Sequence, residues 1–225
     1  MHLRVKPWAR PELLACGFFI EAPFDEKNKW SQLFAKKQPI HLELGCGKGQ
    51  FIAQQAYANP DINFLAIDMI DAVLGLTKRN ICATFGDRPV DNCRITAWDI
   101  GRIDAILGEA DVMERIYINF CNPWPKRRHY KKRLTYHRQL EAYKKFLALD
   151  GEIHFKTDDD NLFEASLDYF DQAGFDILFE NRNLPANAPI SPIITEHEQM
   201  FRDQGISIKF LIARQRTSSK TNPYA

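Results

Sequence analysis

Leu42-Glu43-Leu44-Gly45-Cys46-Gly47-Lys48-Gly49-Gln50-Phe51 is the stretch on which the fold turns. The apolar run Ile40–Leu44 before it reads as a strand, and the 3–4 spacing of apolar residues over Gln50–Ala58 reads as a helix. Glycines at 45 and 47 let the chain turn sharply and let a ligand approach the backbone closely, as at the nucleotide-binding end of a doubly wound sheet. The dinucleotide fingerprint G-x-G-x-x-G would need a glycine at position 50, where Gln50 stands. A nucleotide cofactor without a pyrophosphate is the better match.

Working outward, short apolar or alternating runs recur at Asn63–Ile67, Cys93–Ala97, Arg115–Phe120, Glu152–Lys156, Phe175–Glu180 and Ile206–Ala213. Between most of them lie helical patterns, at Gln50–Ala58, Asp71–Phe85, Lys132–Leu149 and Asn161–Ala173. Such alternation predicts an α/β fold: a Rossmann-like, doubly wound, seven-stranded, mainly parallel sheet with helices on both faces. Asn181–Gly205, with three prolines, leaves room for an excursion and a short helix. Residues 1–38 are expected as an N-terminal extension packing on the core, 39–213 as the single α/β domain and 214–225 as a flexible tail.

Composition excludes several classes. With 45% hydrophobic and 26% charged residues, and no run near the roughly 18 apolar residues of a membrane span, the chain reads as soluble, cytoplasmic and monomeric. Its five cysteines are odd in number and contain no C-x-x-C pair, and the histidines show no H-x-x-x-H spacing, so neither a disulfide framework nor a metal is expected.

Successive strand ends carry acids. Asp68 closes the second strand, 19 residues after Gly49, where a carboxylate can bond ribose hydroxyls. Trp98-Asp99 follows the third strand and suits an adenine edge and face, while Glu43 precedes the loop glycines Gly45 and Gly47. Three acids disfavour a phosphate and favour a sulfonium with an ammonium, which points to S-adenosylmethionine rather than NAD. Asp68 and Asp99 also have a plainer reading, as helix caps or solvated strand ends.

Formal charge is only +1, yet Lys126, Arg127, Arg128, Lys131, Lys132 and Arg133 place six cations within eight residues, leaving 24 basic against 29 acidic residues elsewhere. That concentration predicts a local polyanion contact, with Arg127, Arg128, Lys131, Lys132 and Arg133 able to bind phosphates. Just before it, Asn122-Pro123-Trp124-Pro125 follows the fourth strand, and its two prolines stiffen the turn that carries Asn122 and Trp124. Thr195-Glu196-His197-Glu198 reads on its own as a capping box, and Asp158-Asp159-Asp160 as the acidic first turn of a helix.

The pattern Asn-Phe-x-x-Pro-Trp-Pro-Lys-x-Arg-His-x-Lys-Arg-Arg-Leu, seen at Asn119–Leu134 and ending Lys132-Arg133-Leu134, resembles the signature of the tRNA (guanine-N7) methyltransferases. The similarity runs from Leu3-Arg4-x-Lys6-Pro7-Trp8 through Glu43–Phe51 and His154–Asp158 to Thr195–Glu198. The resemblance implies that Glu43, Asp68 and Asp99 bind S-adenosylmethionine and that Asn122 lines the same site as a catalytic residue. It implies further that Lys126, Asp158, Thr195, Glu196, His197 and Glu198 contact a tRNA substrate, usually at a variable-loop guanosine. Asp158 and Glu198 would accept from the base's N1–H and amino groups. Many members of that family carry aspartate where this chain has Asn122. Because N7 has a lone pair and no proton to lose, attack on a methyl group needs alignment more than a general base. A methyltransferase for another base or for a protein would share the Glu43–Asp99 half without the Asn119–Leu134 pattern, and a binding-only module would show a degenerate glycine loop.

Overall fold

The computed structural model describes residues 6–216. Leu3 and Arg4 of the N-terminal motif, and the tail from position 217 on, lie outside the described residues. The chain divides after Val112 into two compact units.

In the first unit the elements run α1 (Ala9–Leu14), β1 (Phe19–Ile20), β2 (Ile40–Leu44), α2 (Gln50–Ala58), β3 (Asn63–Asp68), α3 (Asp71–Phe85) and β4 (Cys93–Ala97). The strands β2, β3 and β4 pair in parallel with Leu44 opposite Ile67 and Asp68 opposite Ala97, so their carboxyl ends share one edge. All five residues of β2 are buried, as an interior parallel strand requires. β1 adds a further parallel strand beside β4, and Thr96 Oγ1 donates to Ile20 O at 2.7 Å. Among the described residues the total is therefore eight strands, one more than the periodicity suggested, because a two-residue strand carries too little pattern to be read.

Asn28 and Trp30 are tied down by buried polar contacts. Asp111, fully buried, accepts from Asn28 N, Trp30 N and Gly108 N at 2.6, 3.1 and 2.9 Å. Trp30, also fully buried, donates its indole N–H to Ile106 O at 2.7 Å. Burying a ring of that size stabilises the fold by roughly 2–3 kcal/mol, and a satisfied indole N–H avoids the cost of an orphaned donor.

In the second unit follow β5 (Met113–Asn119), α4 (His137–Tyr143), β6 (Leu147–Thr157), α5 (Asp160–Gln172), β7 (Phe175–Asn181), α6 (Glu196–Asp203) and β8 (Lys209–Gln215). β5 and β6 are parallel, whereas β8 runs antiparallel to both β6 and β7. The long helix expected over Lys132–Leu149 is in fact short, because Met113 N takes Phe146 O at 2.7 Å and draws Leu147 into β6. Leu140, Tyr143, Phe146 and Leu147 are all buried, so their spacing alone does not separate helix from strand. β8 begins later than the apolar run implied and takes in Arg214 and Gln215 of the expected tail, where Arg214 pairs with the buried Glu152 at 3.1 Å. Among the described residues no helix is long and apolar enough to cross a membrane.

Candidate active site

At the carboxyl edge of β2, Gly45, Gly47 and Gly49 all take positive φ, of 77°, 54° and 76°, which L side chains adopt only at a cost. Gly45 N and Cys46 N both bond Ile67 O, so the loop is stitched to the end of β3. Asp68 is fixed at both oxygens, Oδ2 accepting from Gly47 N and Oδ1 from Ile70 N, each at 3.1 Å. Each carboxylate oxygen keeps a second lone pair for a ligand hydroxyl. Burial pushes the Asp68 carboxyl above its usual range, against the pull of the Ile70, Gly47 and Met69 amides. Glu43 is buried beneath the loop.

Trp98 N bonds Asp68 O, which draws the β4 end to the β3 end. Asp99 is exposed and its Oδ1 caps a short 3-10 turn through Gly101 N at 2.9 Å, so the plainer reading as a cap accounts for one of its oxygens. The Trp98 indole donates to Arg102 O at 2.8 Å. A methyl group on Gly47 would meet nothing within 4 Å, so the loop borders open space there. A cradle of acids and backbone amides bordering space suits a ligand bearing hydroxyls and positive charge.

In the second unit the β5 end is strained. Phe120 and Trp124 both have positive φ, of 50° and 45°, a conformation costing an ordinary residue about 1–3 kcal/mol. Three bonds hold it: Phe120 N to Lys156 O at 2.8 Å, Trp124 N to Asn122 Oδ1 at 3.0 Å, and Arg133 Nε to Pro123 O at 2.8 Å. Asn122 is exposed, and its amide oxygen accepts from the Trp124 backbone. Trp124 in turn meets Lys132 over its ring at 4.9 Å and the edge of His129 at 5.5 Å. Desolvation and the Arg128, Lys132 and Lys126 cations hold His129 below the usual imidazole range. Burial pushes the Cys121 thiol up to about 12, which removes it as a nucleophile.

Lys126, Arg127, Arg128, Lys131 and Lys132 are exposed. Arg133 is not. It is 2% exposed, lies 3.8 Å from the centre of the Tyr130 ring and bonds the Pro123 carbonyl, so it clamps the loop.

The α6 segment departs from its reading in a second way. Thr195 Oγ1 accepts from Glu198 N at 3.0 Å, one half of the capping box. The Glu198 carboxylate turns inward instead: Oε2 bonds Lys156 Nζ at 2.6 Å, and Oε1 bonds Arg202 Nη2 and Nε at 2.5 and 3.1 Å. Lys156 and Glu198 side chains are each 1% exposed. Glu198 is thus the buried anchor of α6, with both oxygens serving cations. Glu196 and His197 stay exposed, and the His197 ring stacks on Phe120 at 6.3 Å with 23° between planes. Burial, with Asp159 alongside, pushes Asp158 above its usual range against Lys209 and His197. Asp159 caps α5 through Leu162 N at 2.6 Å, and Asp160 pairs with Lys209 at 2.7 Å, as the acidic-first-turn reading has them.

Lys156, Arg202, Thr77 and Asn80 were missed by the reading of the sequence. Lys156 had a signal: a lone cation on an otherwise buried strand needs a buried partner. Thr77 and Asn80 lie mid-helix and had none.

The family model described as "Putative methyltransferase" matches residues 37–211. A tRNA (guanine-N(7)-)-methyltransferase of Clostridium beijerinckii is 56% identical over 95% of this chain and 98% of its own. The chain belongs to the tRNA (guanine-N(7)-)-methyltransferase family. A member from Acetivibrio thermocellus is 48% identical over 96% of this chain and 100% of its own. Among solved structures, the 16S rRNA methyltransferase KamB matches with a TM-score of 0.62 at 11% identity, over 84% of this chain and 93% of that one. An antibiotic-related methyltransferase matches at 0.58 and 13% identity, over 96% and 97%. At such identities the likeness concerns the fold, which is that of the Rossmann-like methyltransferases. As a member of a methyltransferase family, the chain works with a methyl donor of the S-adenosylmethionine type.

Proposed function

We propose that this chain transfers a methyl group from S-adenosylmethionine to N7 of a guanosine in tRNA, in the variable loop, and does so in the cytoplasm. The observation that carries the reading is the cradle around Gly47, with Asp68 locked at both oxygens by backbone amides, in a chain 56% identical to a tRNA (guanine-N(7)-)-methyltransferase. When bound, S-adenosylmethionine supplies a sulfonium methyl that the N7 lone pair accepts without any proton being removed. Asp68 would take the ribose hydroxyls, Asp99 with Trp98 the adenine, and Glu43, through its negative charge, would favour the cationic donor. Gly45 and Gly47 keep the backbone low enough for the donor to lie against it.

On the acceptor side, Arg127, Arg128, Lys131 and Lys132 would hold phosphates by charge, and Lys126 would reach the RNA from the start of the same turn. An N7 atom is reachable in RNA chiefly in a loop or after the base is displaced, and an aromatic face helps hold a displaced base. The stacked His197 and Phe120 rings, with Asp158 close by, make such a place, and Thr195 and Glu196 set the start of α6 beside it. A carboxyl pushed upward, as at Asp158, suits a group that exchanges hydrogen bonds with a base edge.

Purified protein incubated with labelled S-adenosylmethionine and tRNA from a strain lacking the activity is expected to yield 7-methylguanosine by mass spectrometry of the nucleosides. A different methylated nucleoside would overturn the N7 assignment and leave the donor site standing. Asn122 gives a sharper check on mechanism. Its oxygen holds the Trp124 backbone, a task an aspartate performs equally well, so Asn122→Asp is expected to retain turnover. Asn122→Ala releases the turn and is expected to lower kcat about tenfold, in proportion to a lost bond of roughly 1.4 kcal/mol. An inactive Asn122→Asp would count against an orienting role.

A further inference from the structure

Helix α3 is gripped on two opposite faces, and one grip is on the glycine loop. Thr77 Oγ1 bonds Gly47 O at 2.7 Å, closer than its own helix carbonyl Val73 O at 3.2 Å, and Asn80 Nδ2 donates to Lys48 O at 2.8 Å. The approach is close: a Cβ on Gly49 would stand 2.2 Å from Thr77 Cγ2 and 2.9 Å from Thr77 Cα. Gly47 is also the residue whose N–H holds Asp68 Oδ2, so a rotation of its peptide planes would reach the carboxylate directly.

At 3.6 residues per turn, Gly75 and Arg79 lie on the far side of α3 from Thr77 and Asn80. That face takes α1 and the residue before it. A Cβ on Gly75 would fall 2.7 Å from the Trp8 ring and 3.0 Å from Ala9 Cβ. The Arg79 guanidinium covers the Trp8 ring at 3.7 Å and bonds both Glu12 oxygens at 3.0 and 2.5 Å, while Arg10 pairs with Asp71 at 3.6 Å.

We propose that Thr77 and Asn80 are positioning residues for the methyl donor, fixing the loop carbonyls of Gly47 and Lys48, and that the Trp8–Leu14 segment holds α3 in the place where they do so. The inference rests on the reading of residues 45–49 as the donor loop. Neither Thr77 nor Asn80 need touch the donor; they act through the Gly47 peptide and Asp68.

The test is calorimetric titration of S-adenosylmethionine into the full-length protein and into Thr77→Val, Thr77→Ser, Asn80→Ala and Trp8→Ala, with tRNA affinity and melting temperature measured alongside. Loss of one such hydrogen bond is expected to raise the donor Kd about 5- to 10-fold in Thr77→Val and in Asn80→Ala. Thr77→Ser, which keeps the hydroxyl, should restore the affinity to within about twofold of the parent. Trp8→Ala should raise the donor Kd about threefold and combine with Asn80→Ala less than additively, as residues acting through one helix do. KM for the donor rises while kcat at saturating donor and tRNA affinity hold. Asn80 sits on the half-exposed side of α3, so Asn80→Ala keeps the test open even if Thr77→Val fails to fold. A folded Asn80→Ala whose donor Kd stays within twofold of the parent overturns the proposal. A parent protein that fails to bind S-adenosylmethionine sinks the reading of the loop itself, which is a separate result.

Discussion

Glu198→Ala is expected to destabilise the protein by about 3–5 kcal/mol, the cost of leaving buried charge without its counterion. The carboxylate serves two cations, Lys156 at 2.6 Å and Arg202 at 2.5 Å, and the Lys156 side chain has no route to water at 1% exposure. Burial already lowers the Lys156 ammonium below its usual range while Glu198 raises it, so removing Glu198 leaves only the unfavourable influence. Denaturant unfolding monitored by tryptophan fluorescence reads the change as a fall in midpoint at constant slope. The double variant Lys156→Met with Glu198→Leu should recover much of the loss, because an apolar pair of similar volume removes the desolvation cost of both ions. Activity should not return with stability, because α6 would lose the contact that sets His197 over Phe120. A Glu198→Ala protein as stable as the parent would show that the pair is not buried in solution.

The second large effect belongs to Gly49. Alanine there must take φ near 76° and place its methyl 2.2 Å from Thr77 Cγ2 and 2.9 Å from the Thr77 Cα. The first demand costs about 1–2 kcal/mol and the second about 1–3 kcal/mol, since backbone cannot step aside as a flexible side chain would. Gly49→Ala should therefore lose about 2–5 kcal/mol of stability together with most of its donor affinity. Gly47→Ala provides the contrast. Its φ of 54° carries the same strain, but the new methyl meets nothing within 4 Å, so the fold should lose only about 1–2 kcal/mol. Thermal melts of the two variants side by side separate crowding from backbone strain, and equal losses would show that the close approach to Thr77 is relieved cheaply.

What could be read in the sequence divides along physical lines. β2, α2, α3 and β4 were legible to the residue, because each carries a complete period of its pattern between glycines or prolines. The place of Asp68 at the β3 end beside the glycine loop was legible because the strand's pattern ends there. The inward turns of Arg133 and Glu198 were not. A run of cations or a Thr-x-x-Glu cap has the same letters whether its members face water or the interior, and the choice depends on Pro123, Tyr130, Lys156 and Arg202 arriving from elsewhere in the chain. Thr77 and Asn80 were silent for a similar reason: their partners are main-chain carbonyls, which every sequence supplies.

The burial of Arg133 alters what kind of cationic element this is. A basic arm of five or six residues usually gains its shape only on meeting RNA and surrenders conformational freedom as it does so. Here the guanidinium of Arg133, seated on Tyr130 and bonded to Pro123, ties one end of the 3-10 turn to the strained loop before any RNA arrives. The four outward cations of the turn then present themselves from a settled scaffold, so an encounter with phosphate, as the proposed function has it, would release counterions without a large ordering penalty. Association of this kind carries a small heat-capacity change for the segment, unlike coupled folding. Under the proposed function, such a scaffold would grip and release one tRNA after another at little ordering cost.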